Sequence, residues 1–166
     1  MDNPLPSKDI SFNGQLLFHG SPQIVRKPEI RIGKYAKDFS IGFYCTYFKE
    51  QAVRWATRFP APGYVNIFSC KLLDDLRIKR FDTMTEEWLD FVSDNRSGKI
   101  QESPYDFIFG PVANDTIFKT FIAYQNGILS KQDTIERLRV KKLYNQLVLK
   151  TSAAIEYLSF NRSFQV

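Results

Sequence analysis

The chain has one histidine, two cysteines, two methionines and two tryptophans, and no apolar run long enough to cross a bilayer. Each scarcity removes a class of function. Cys45 and Cys70 fall on separate predicted strands with no second histidine nearby, so a usual zinc set is excluded and buried reduced thiols are expected. No metal cofactor is expected. The opening MDNPLPSKD lacks both the positive start and the apolar segment of a signal peptide, which predicts a cytoplasmic protein without membrane contact. Acidic residues are in the minority, and the net charge of +5 suits a partner with phosphates without choosing between a dinucleotide and a nucleic acid. Aromatic residues, by contrast, are plentiful. Fifteen Phe and eight Tyr within a 43% hydrophobic composition point to a sheet-rich interior, since aromatic side chains favour pleated, half-buried surfaces. At 166 residues the chain fits one domain on the prior of roughly 100 to 200 residues each.

Periodicity divides the chain into short elements. A polar leader over residues 1–14, with Pro4 and Pro6, precedes a first strand at 15–19, stopped by Gly20, Ser21 and Pro22. Residues 23–37 are basic and turn-like. Arg26, Lys27, Arg31, Lys34 and Lys37 stand there against Glu29, as either a solvated loop or a source of phosphate contacts. A strand at 42–46 is followed by a helix at 49–58, where Ala52, Trp55, Ala56 and Phe59 fall at helical spacing. Trp55 is open to two roles, core anchor or ligand platform. Strands follow at 64–72 and 76–81. Thr83 and Glu86 then have capping-box spacing ahead of a helix carrying Trp88, Leu89, Phe91 and Val92. Residues 94–103 read as a flexible loop. After a strand at 105–109 and the turn GPVAND, helices are expected at 115–126 and 131–140, the second opened by Ser130 and Asp133. Arg137, Arg139, Lys141 and Lys142 suit the end of that helix by its dipole better than they suit a nucleic-acid patch, because no aromatic is interleaved with them. A last strand at 146–150, a closing helix at 152–158 and a tail over 161–166 complete the order. Short strands and several helices without regular alternation predict an α+β domain over residues 15–160.

The most informative stretch is DFSIGFYCTYFKEQAVRW at residues 38–55, read together with LFHGS at 17–21. It joins the sole histidine, His19, and the adjacent Gly20 to Tyr44 on a strand and to an aromatic eleven residues beyond it, Trp55. These pieces resemble the histidine and tyrosine motifs of the ADP-ribosyltransferase superfamily, in the branch of the poly-ADP-ribose polymerases and diphtheria-like toxins. More narrowly, RIGKYAKDFSIGFYCT, TEEWLDFV, YDFIFGPVANDTIF and NQLVLKTSAAIEYLSF resemble a bacterial family of unknown function, family 3990, regarded as predicted ADP-ribosyltransferases. The resemblance implies a split β-sheet core with flanking helices, a cleft for NAD as co-substrate, and a set of roles. His19 would bond a ribose hydroxyl and Gly20 would offer backbone groups to the nicotinamide amide. Tyr44 would stack on the nicotinamide ring and Trp55 would close its other face, while Phe39 and Gly42 would border the same ligand. The polymerase-like enzymes carry a small hydroxyl residue where this chain has Ala52, so one amide contact is missing or comes from Ser21. Among the basic residues, Arg31 and Lys37 are the candidates for the diphosphate.

The third motif departs from the pattern. A catalytic glutamate normally opens a late strand, and here that strand opens with Gln146, which can hydrogen-bond a ribose hydroxyl but brings no charge and no general base. Asp106, Asn114 and Asp115 are the secondary candidates, the two acids each doubling as ordinary strand-end or helix-cap residues. The resemblance implies NAD-dependent mono-ADP-ribosyl transfer to a protein or nucleic-acid acceptor, and a toxin of a toxin–antitoxin pair with a small neutralising antitoxin protein. Two alternatives stand beside it: an inactive fold holding NAD or ADP-ribose as a sensor, and a basic interaction or nucleic-acid-binding domain.

Overall fold

The computed structural model describes residues 15–32, 37–71, 76–99, 103–113, 115–139 and 144–166. Their order is β1 (Leu16–Ser21), β2 (Phe43–Cys45), α1 (Lys49–Ala56), β3 (Tyr64–Cys70), β4 (Ile78–Arg80), α2 (Glu86–Arg96), β5 (Phe107–Pro111), α3 (Asp115–Gln125), α4 (Lys131–Arg139), β6 (Asn145–Leu149), α5 (Ser152–Ile155) and β7 (Leu158–Gln165). This is an α+β domain with two sheets. One has the order β1-β3-β7, antiparallel throughout, and the other has the order β2-β6-β5-β4, in which only β4 and β5 run parallel.

Strand parity explains the layers. Leu17, Phe43, Phe68, Phe107, Leu147 and Leu149 point from both sheets into one shared core. Residues of opposite parity on the four-stranded sheet, Tyr44, Ile108 and Val148, face the other way and pack with Trp88, Leu89 and Val92 of α2, Phe121 of α3 and Leu138 of α4. On the outer face of the three-stranded sheet, α1 lays Ala52 and Ala56 against Val65. Gly20 permits that contact. A Cβ at this position would lie 2.0 Å from the Ala52 carbonyl oxygen and 2.8 Å from the Ala56 nitrogen, so any larger residue would push the helix off the strand.

Three expectations are corrected. The tail at 161–166 is the greater part of β7, which pairs with β3 along its length and bulges between Ile67 and Phe68; the closing helix is correspondingly cut to four residues. NRSF and its flanks alternate only weakly in exposure because β7 is an edge strand, so the period-two signal was faint. The cap of α2 is Thr85, whose hydroxyl accepts from the Trp88 N–H, rather than Thr83. Arg96, placed in a flexible loop by composition, is the last residue of α2 and is anchored on Asp38. Among the described residues no helix is long and apolar enough to cross a membrane.

Candidate functional site

Among the described residues one backbone bridge joins the two sheets. Phe18 and Thr46 exchange N–H···O bonds of 2.8 and 2.9 Å, and from there β1 and β2 part. In a continued antiparallel ladder the Tyr44 carbonyl would accept from Gly20 two residues on. Instead it accepts from the His19 ring, with Nδ1 2.7 Å away. A side chain thus replaces a ladder bond where the sheets split.

That bond fixes the histidine. A carbonyl oxygen can only accept, so Nδ1 carries the proton and Nε2 is left as an acceptor, provided the ring is neutral. Burial pushes the His19 pKa down to about 4, with the nearby Lys37 charge adding to the effect and the Tyr44 carbonyl opposing it. The ring is neutral at pH 7. Its face lies 4.3 Å from the Phe43 ring, which holds the imidazole plane.

A cleft of about 540 Å³ opens at this split, a volume suited to a nucleotide-sized ligand. His19, Gly20, Lys37, Tyr44, Trp55 and Gln146 all line it. The convergence expected of a strand, a second strand, a helix and a late strand is therefore present. Tyr44 is held by its hydroxyl, which donates to the Ser40 carbonyl at 2.6 Å and accepts from the Phe39 N–H at 3.2 Å. Ser40 takes a left-handed φ of 63°, a turn that brings residues 38–40 round to the ring. The Lys37 ammonium stands over the Tyr44 ring, 4.4 Å from its centre, and burial lowers its pKa.

Other residues singled out in the sequence lie elsewhere. Ser21 is turned into the loop after β1, where its hydroxyl bonds the backbone of Gln23 and lies 3.4 Å from the Asn66 amide. Phe39 is a core residue packed on Phe81 and Phe91. A Cβ at Gly42 would lie 2.4 Å from Val148 Cγ1 and 2.9 Å from the Leu149 carbonyl oxygen, so this glycine serves close packing on β6. Arg31 is exposed and pairs with Glu29. Asp106 immediately precedes β5, tied to Arg77 and Thr151. Asn114 and the side chain of Asp115 lie outside the described residues, as does Lys34. Both cysteines are buried and free, and burial raises both thiols, Cys70 to about 11.

Sequence reasoning missed Asp38 and the arginines. Asp38 is 5% exposed and lines the cleft. It accepts from Arg96 Nε at 2.8 Å and Nη2 at 2.5 Å, from the Ala113 N–H at 2.8 Å and from Gln146 Nε2 at 3.0 Å. Its signal was present: one charged residue at the head of the otherwise apolar DFSIGFYC, where a buried charge must find partners. Arg54, which also lines the cleft, donates to the Tyr144 hydroxyl at 2.8 Å, and Arg58 lines it four residues further along the chain. Four cations, Lys37, Arg54, Arg58 and Arg96, therefore face the cleft against one described carboxylate, Asp38. Such an arrangement favours an anionic ligand bearing a flat, polarisable group.

No curated protein matches the chain. The sequence model of a family described as a protein of unknown function (DUF3990) matches residues 15–160, which spans β1 through the opening of β7 and every cleft residue named above. The chain belongs to that family, DUF3990, whose function is unknown.

Proposed function

We propose that this protein is an NAD-dependent mono-ADP-ribosyltransferase acting on a macromolecular acceptor. The observation that carries the reading is the meeting of His19, Tyr44, Trp55 and Gln146 in one cleft at the point where two sheets part. Cleavage of the nicotinamide–ribose bond leaves positive character on the sugar, so the site has to orient the ribose and hold the leaving ring. His19 offers Nε2 as a fixed acceptor for a ribose hydroxyl. Tyr44 and Trp55 offer aromatic faces to nicotinamide, whose positive ring would take the place now held by the Lys37 ammonium, worth about 0.5 to 2 kcal/mol. Arg54 and Arg58 replace Arg31 as the candidates for the diphosphate, because they face the cleft and Arg31 does not.

A second reading, a protein that holds NAD or ADP-ribose without turning it over, is favoured by one observation. Asp38 is fully engaged by Arg96, Ala113 and Gln146, which leaves no described cleft carboxylate free to act as a general base. Incubation with NAD labelled in its adenylate half and a cell lysate separates the two. The transferase reading expects label on one class of macromolecule and its loss with His19→Ala. Binding of labelled NAD without any transfer favours the sensor.

A further inference from the structure

The loop residue Asp38 and the strand residue Gln146 come from opposite ends of the described chain and meet with their side chains 3.0 Å apart. A carboxylate gripped by a guanidinium accepts hydrogen bonds and donates none, so the Gln146 atom that faces it is the amide nitrogen. Gln146 must then direct Oε1 elsewhere. Gln146 lines the cleft, and no described residue donates to that oxygen.

We infer that Asp38 is a positioning residue that makes glutamine the side chain required at 146. It pins the amide so that Oε1 is offered to a hydroxyl donor of the ligand, and it keeps the one described carboxylate of the cleft directly behind that amide. A glutamate in the same place would set a second carboxylate about 3 Å from the first, and like charges at that separation do not both ionise freely. Of the charged and titratable groups near Asp38, Arg96 of α2 is bonded to it, Lys37 stands over the Tyr44 ring, Tyr44 bonds the backbone beside it, His19 is neutral, and Arg54 and Arg58 line the same cleft, with Arg54 bonded to Tyr144. The charge that glutamate would bring to the opening of β6 then sits instead on its hydrogen-bond partner in space, the loop residue Asp38. The ligand half of this inference rests on the proposed NAD reading; the pairing of the two side chains does not.

The test has two arms. In the first, thermal melting of wild type, Gln146→Glu, and the exchange Asp38→Asn with Gln146→Glu is followed from about pH 4 to 8, a range that starts near the ordinary glutamate value of about 4.3. Two facing carboxylates raise the folded value above the unfolded one. The Gln146→Glu protein should therefore approach wild type at the acid end and fall behind it as pH rises through the folded value. The exchanged pair, with one carboxylate again, should lose that fall. Parallel melting of Gln146→Glu and wild type at every pH, or the same fall in the exchanged protein, overturns the pairing. In the second arm, wild type is titrated with NAD and with analogues whose nicotinamide-ribose hydroxyls are replaced one at a time by fluorine, which cannot donate. One replacement beyond that sensed by His19 should weaken binding about tenfold, the scale of one good hydrogen bond. If His19→Ala accounts for every such loss, Oε1 is not offered to the ligand. If folded wild type does not bind NAD at all, the proposed function fails and the melting series decides the pair alone.

Discussion

Asp38 and Asp106 are both buried carboxylates, each gripped by an arginine, yet they do opposite things. Asp106 accepts from the Arg77 N–H, Nε and Nη2 at 3.0 Å and from the Thr151 hydroxyl at 3.1 Å, and its carbonyl accepts from the Lys150 N–H at 2.8 Å. All those partners join the chain entering β4 and β5 to the end of β6, and none of these three residues lines the cleft. Asp38 has a comparable set of partners at the other end of the same sheet, but all three of them, Arg96, Ala113 and Gln146, line the cleft. The number of bonds to a carboxylate does not mark a functional site. What marks it is whether a partner keeps a second polar group for something outside the protein.

The largest expected effect comes from breaking the Asp38 set. Asp38→Ala leaves the half-buried Arg96 without its carboxylate and Gln146 unanchored, and should cost about 3 kcal/mol of unfolding free energy by denaturant titration. A loss below about 1 kcal/mol would mean that water or a neighbour replaces the carboxylate freely. Asp106 should give a smaller, pH-limited effect. Its pKa is drawn down to about 2, chiefly by the Arg77 guanidinium, so its contribution is complete above the unfolded value of about 3.9 and is lost as pH falls toward 2. Asp106→Asn should therefore be less stable than wild type at neutral pH and indistinguishable from it near pH 2. Because the Arg77 side chain is 63% exposed, added salt should narrow the gap.

His19 sharpens the comparison from the cleft side. As the only histidine it gives an isolated imidazole signal, which should not titrate until about pH 4. Its folded value lies below the unfolded 6.5, so the unfolded chain takes up the proton first and stability declines as pH falls from 6.5 to about 4. An imidazole titrating near 6.5 in the folded protein would contradict the buried, Nδ1-protonated ring. The smallest effect belongs to Arg31. Arg31→Ala should change neither melting nor NAD affinity, whereas Arg58→Ala should weaken NAD binding severalfold with melting unchanged.

Much of this was readable in advance. His19, Tyr44, Trp55 and Gln146 were singled out by the resemblance of their motifs to a known superfamily; local pattern alone marked a glycine after a strand, a strand aromatic and a helix repeat without assigning them to one cleft. Lys37 was legible as a cation but not as the group on Tyr44. Arg31 was misleading, since charge alone does not say which way an exposed side chain turns. Asp38 and Arg96 were missed because their meaning lies in a contact across 58 positions, from a loop to the end of a helix whose length composition understated. β7 was missed for a similar reason: an edge strand shows weak alternation, and its evidence is its partner β3.

The most direct measurement is a crystal structure with NAD, or a non-cleavable analogue, bound. The account predicts nicotinamide between Tyr44 and Trp55 with Lys37 displaced from the Tyr44 ring, a ribose hydroxyl on His19 Nε2, and Gln146 still donating to Asp38. Dinucleotide bound outside the split between β1 and β2, with Lys37 still over Tyr44, would contradict it.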